Sequence, residues 1–124
     1  MNIKHIVWIV FLFFYSSLLA FAGEPMVRDV RVSQDSDGTY RFDVTIEHAD
    51  TGWDHYADAF EVVASDGRVL GTRVLVHPHV NEQPFTRSLS SVRIPPRDTS
   101  VEVRARDKVH GLGTPYRGVQ LPGR

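Results

Sequence analysis

The chain has six histidines and no cysteine, so any metal or acid–base chemistry falls to imidazole and carboxylate groups. Histidine is the commonest metal ligand among side chains and the one that titrates, unperturbed, near neutrality. Five of the six, His48, His55, His77, His79 and His110, stand where strands are expected to end. His77-Pro78-His79 is the sharpest local feature. Alternate residues on an extended segment point the same way, and proline stiffens the segment, so both imidazoles can reach one ion at about 2.0–2.1 Å. The competing reading is a solvated turn. Trp53-Asp54-His55-Tyr56 sets an acid and an imidazole between two aromatic rings. It reads as part of the same site, as a plug on the core, or as a Trp53–Tyr56 platform for a sugar or peptide. His110-Gly111-Leu112-Gly113 puts a histidine beside glycines that permit close backbone approach.

Asp54, Glu82 and Asp107 are available as carboxylate ligands or as partners that orient a liganding ring. A His/carboxylate set without thiolate suits Zn(II), Cu(II) or Ni(II). Cu(II) or Zn(II) is the expected ion, because after Met1 only Met26 remains and a methionine-rich Cu(I) site is excluded. Asp58 and Arg87 are expected to pair as structural support. Glu47, Glu102, Arg104 and Arg106 read as a solvated sheet face with cross-strand pairs. No Gly-x-Ser-x-Gly string or other nucleophile motif occurs, so an enzyme using an open metal position is the weaker alternative.

These residues belong to a chain of 124 residues with a formal net charge of −1, a balance that gives no support for nucleic acid as a partner. Lys4, the apolar run Ile6 to Tyr15 and the small-x-small string Ala20-Phe21-Ala22 have the form of a secretory signal peptide. Cleavage is expected after Ala22, leaving Gly23 to Arg124 as one periplasmic or secreted domain with no membrane attachment. No cysteine stands at the cut to carry a lipid, and no disulfide can staple the fold.

The elements that must position the histidines are strands. Tyr40, Phe42, Val44 and Ile46 alternate with Arg41, Asp43, Thr45 and Glu47, the period of a half-buried strand. Similar runs start at Val30, at Tyr56 to Ser65, at Val69 to His77, at Phe85 to Ile94 with a bulge near Ser90-Ser91, at Val101 to Arg106, and near Tyr116 to Leu121. Asp66-Gly67 marks a hairpin. About seven strands with frequent turn signals predict an all-β, antiparallel, immunoglobulin-like or fibronectin-III-like sandwich, with a small barrel as the runner-up. Alternating strand directions then place all five histidines at one pole. His48 continues the inward series of Phe42, Val44 and Ile46, and Asp107 continues that of Val101, Val103 and Ala105. The two are therefore expected to meet in the mouth of the sandwich, where an unpaired buried polar group would cost about 1–3 kcal/mol.

The strings WDHYAD (Trp53 to Asp58), HPHVNEQPFTRS (His77 to Ser88) and ARDKVHGLG (Ala105 to Gly113) resemble segments of short, uncharacterised secreted bacterial proteins. That resemblance implies an exported β-sandwich and carries over no assigned site. The architecture is also similar to that of periplasmic copper carriers of the cupredoxin-like type, although Gly23 stands where those proteins begin with histidine. The expectation is a periplasmic transition-metal-binding protein. His55, His77, His79 and His110 are its first-choice ligands, and His48 and Asp107 form an inner pair. The expected partners are a metal ion and a second periplasmic protein.

Overall fold

The computed structural model describes residues 23–124; the expected signal segment and His5 lie outside them. The described chain folds as eight strands: β1 (Met26–Gln34), β2 (Tyr40–Glu47), β3 (Ala57–Val63), β4 (Val69–Val74), β5 (Phe85–Val92), β6 (Ser100–Asp107), β7 (Gly111–Leu112) and β8 (Tyr116–Gln120). They form two antiparallel sheets, one in the order β1-β2-β5, the other β4-β3-β6-β7 with β8 also paired to β6. The fold is the expected sandwich and not a single closed barrel. It has one strand more than expected, because the stretch after His110 pairs with β6 twice, first through β7 and then through β8.

The alternation decides which side chains fill the space between the sheets. Tyr40, Phe42, Val44 and Ile46 of β2 have no exposed surface, and neither do Phe60 and Val62 of β3 or Val103 and Ala105 of β6. Their outward neighbours pair across the strands: Arg104 with Glu61 at 3.0 Å, Arg117 with Glu102 at 3.7 Å, and Arg28 with Glu47 at 2.8 Å. Residues two apart share a face of a strand, so the inward series carries on to His48 at the end of β2 and to Asp107 at the end of β6. Both are buried.

Two of the register irregularities in this frame bear on the expectations and on the site. The β2–β5 register slips between Tyr40 and Phe42, opposite the expected bulge at Ser90-Ser91, and Ser91 takes the left-handed conformation at φ 59°. The β3–β6 register slips between Ala57 and Ala59, which leaves Ala57 opposite Asp107. A bulge inserts one residue and reverses the facing of the strand beyond it. Ala57 is therefore buried opposite Asp107.

Candidate metal centre

Asp107 stands at the centre of the polar cluster. Its Oδ2 lies 3.0 Å from His48 Nε2, 3.1 Å from His55 Nε2 and 2.9 Å from His110 Nδ1. Its Oδ1 accepts from the backbone N–H groups of Val109, at 2.9 Å, and of His110. Burial pushes this carboxyl up. Hydrogen bonds from the His110 backbone and ring, the His55 ring and the Val109 backbone outweigh it and hold the pKa down at about 2. Three imidazoles thus converge on one oxygen of a buried carboxylate.

Each arrives by a different route. His48 comes from the inward phase of β2. Its ring is held from behind, with Nδ1 2.5 Å from Asp50 Oδ1, and its backbone N–H donates to Gln83 Oε1 at 3.0 Å. His55 is delivered by a tight turn. Thr51 N–H donates to His55 O at 3.0 Å and His55 N–H to Gly52 O at 3.3 Å, while Gly52 adopts φ 147°, a conformation that residues with a side chain rarely take. His110 comes from the β6–β7 turn. The rings of His48 and His55 meet edge to face at 4.8 Å between centroids, and His55 and His110 are 5.0 Å apart.

Asp50 was not singled out in the sequence, and it organises the pole. Buried, it accepts from His48 Nδ1, from the Ala57 N–H at 3.0 Å and from the His79 N–H at 2.7 Å. The signal available was its spacing: His48-Ala49-Asp50 repeats the two-residue inward step once more.

The sequence-based expectation of a single His55–His77–His79–His110 cluster is not what the fold builds. Strand β4 ends at Val74, three residues short of His77, and the chain leaves the sheet after Leu75 N–H donates to Asp58 O at 2.8 Å. His77 is exposed, with Nδ1 3.2 Å from the Pro78 carbonyl. His79 is buried; its ring stacks on Phe85 at 3.9 Å and its Nε2 accepts from Arg87 Nη2 at 2.9 Å. Burial, then the charge of Arg87 and the proximity of His77, press the His79 imidazole below its ordinary range. The two rings face each other at 4.6 Å, but they form a separate pair joined to the cluster through Asp50 and through Gln83, which accepts from the His48 N–H and donates to the His79 carbonyl. Arg87 serves His79 and Glu82, the latter at 3.7 Å, so the expected Asp58–Arg87 pair is absent. Asp58 and Arg87 lie on different sheets, and Asp58 faces Arg106 at 3.4 Å. Asp54 is exposed at its turn tip. The Trp53–Tyr56 platform reduces to one ring: Trp53 is 63% exposed, while Tyr56 is buried beneath it, edge on at 5.7 Å.

The donor atoms of His48, His55 and Asp107 all lie within 4.8 Å of one another, and the group could hold a metal ion. Two of the three edges between these donors meet a simple test. Tetrahedral bonds of about 2.0 Å imply edges of about 3.3 Å between ligand atoms, close to the 3.0 Å and 3.1 Å separating the two Nε2 atoms from Asp107 Oδ2. The carboxylate behind His48 is the partner that usually fixes the ring of a liganding histidine.

A protein from Halomicrobium mukohataei named "Putative lipoprotein" is 40% identical to this chain over 90 residues, covering 73% of this chain and 44% of that protein. The chain therefore spans less than half of that relative's length. No protein-family model and no solved structure matches the chain.

Proposed function

We propose that this is a cell-envelope protein that binds a transition metal ion, Cu(II) or Zn(II), through His48 Nε2, His55 Nε2 and Asp107 Oδ2, with Asp50 fixing the His48 ring. The observation that carries this reading is the convergence of imidazoles on one oxygen of a buried carboxylate, with a second buried carboxylate behind the most buried ring. When bound, the ion would replace the protons now shared between rings and carboxylate. The chain's own contribution is to hold the donors in place and to leave one side open, where His55 is 21% and His110 49% exposed. Carriage or sensing suits such a site, and His77 and His79 stand beside it as a secondary pair. An envelope location is supported by the signal-like leader and by the name of the relative from Halomicrobium mukohataei.

Calorimetric titration of untagged protein with Cu(II) and Zn(II) tests the reading. Wild type should bind one equivalent, and His55→Ala should lose most of the affinity, because a partly exposed ring on a turn can be removed without disturbing the core. Equal, weak binding by both would discard the site. A ligand reading based on the exposed Trp53 ring would then take its place, and it predicts sugar or peptide binding that survives chelators.

A further inference from the structure

The chain just before β1 is tied to the metal cluster more firmly than a strand leader needs to be. The Gly23 carbonyl oxygen lies 3.3 Å from His48 Nε2. A Cβ on Gly23 would fall 2.5 Å from His110 Cε1 and 2.8 Å from its Nε2, so any side chain there would push that ring from its place. Glu24 Oε1 accepts from both the backbone N–H and the hydroxyl of Thr114. Pro25 is fully buried, and its carbonyl lies 2.2 Å from where a Cβ on Gly113 would stand. Glu24 and Pro25 are thus clamped over the β7–β8 loop, and Gly23 before them lies against His48 and His110. Gly23 is also the residue that the Ala20-Phe21-Ala22 string would leave at the amino terminus.

We propose that proteolytic maturation completes the metal site: hydrolysis of the Ala22–Gly23 peptide bond frees the α-amino group of Gly23 as a further donor beside His48, His55 and Asp107. The inference deepens the metal-binding reading and rests on it. Water adds across the peptide bond, a carboxylate leaves on Ala22, and a primary amine remains on Gly23. Before the cut, that nitrogen is an amide whose lone pair is delocalised into the carbonyl, and it cannot serve as a neutral ligand. After the cut it is an ordinary amine. It shares the Gly23 Cα with the position where a Cβ would strike His110, about 2.5 Å away by covalent geometry. With the Gly23 carbonyl already beside His48, amine and carbonyl can close a five-membered chelate. The unprocessed precursor would bind metal more weakly than the exported form.

The test compares two proteins recovered from the cell envelope, with the first residue of each read by intact mass: wild type, and a variant with one serine inserted between Ala22 and Gly23. The insertion restores an amide at Gly23 and moves the amine one residue away, leaving the clamp of Glu24 and Pro25 in place. Matching thermal melts of the metal-free proteins would establish that both are folded. Cu(II) and Zn(II) affinities are then measured for each, with and without His55→Ala. Loss of a directly bound donor should cost at least the roughly tenfold loss seen when a supporting partner is removed, so wild type should bind at least about tenfold more tightly than the insertion variant. Equal, His55-dependent affinity in both would overturn the inference and leave the metal site standing. Binding by neither would remove both. A wild-type mass that begins anywhere other than Gly23 would also overturn it.

Discussion

Asp50 and Asp107 divide the work at the pole. Asp50 holds three N–H donors, those of His48 Nδ1, Ala57 and His79, and all three are buried. Asp50→Ala should strand them. Each unsatisfied buried group costs about 1–3 kcal/mol, so urea denaturation should show a loss of about 3 kcal/mol or more; a loss under about 1 kcal/mol would mean that these bonds are not made in solution. Asp107 makes a pH prediction for the metal-free protein. Its carboxyl is held down at about 2 in the fold against the ordinary 3.8 of an aspartate, so on acidification the unfolded chain takes up the proton first. The stabilisation is complete above about pH 5 and drains away as the pH falls toward 2. It is worth about 2 kcal/mol at one pKa unit per 1.36 kcal/mol. Denaturation of wild type and Asp107→Asn in chelator at pH 6, 4 and 2.5 should show the gap between them narrowing by about that amount. A pH-independent gap would contradict the depressed pKa.

At the scale of elements, the site depends on where strands stop and how the chain turns after them. The turn from Gly52 to His55 presents His55, and Gly52 reaches φ 147° with open space where a Cβ would go. The cost of Gly52→Ala is therefore backbone strain, about 1–3 kcal/mol. Gly67 in the β3–β4 hairpin is the matched control, with φ 90° and equally open space at the opposite pole. Both alanine variants should melt earlier than wild type, but only Gly52→Ala should weaken metal binding. If Gly67→Ala weakened it equally, the effect would belong to global stability and not to the placement of His55.

For the whole molecule, binding to the native state alone is a stabilising term. With free ion at 100 times the dissociation constant it adds about 2.7 kcal/mol. In a domain of roughly this size each kcal/mol raises Tm by about 4–8 °C, so scanning calorimetry should show a rise of about 10–20 °C, reversed by chelator and lost in His55→Ala. With no disulfide and a core made only of side chains between two sheets, the pole offers a separate means of tying the sheets together. His48 from one sheet meets Asp107 from the other, and an ion bound there would join them directly.

Much of this could be read from the amino-acid order, because a strand's faces repeat every two residues. Tyr40, Phe42, Val44 and Ile46 declare their inward face locally, and the same phase carries His48 and Asp107 to their meeting point. The Ser90-Ser91 bulge and the Asp66-Gly67 hairpin are local too. What lies beyond the strand ends was not legible. The two-residue rule ceases where pairing ceases, so the exit of the chain after Val74 separates His77 and His79 from the cluster; Pro78 signals a turn there but not the residue at which the strand ends. The partner of Arg87 depended on which sheet its strand joins, and that is settled by the pairing of β5 with β2. Asp50 gains its importance only when Ala57 and His79 bring their N–H groups to it from distant parts of the chain. Local alternation determined which side chains face inward; contacts between loops far apart in sequence decided which of those polar groups share a proton or an ion, because such contacts exist only once the sheets have packed.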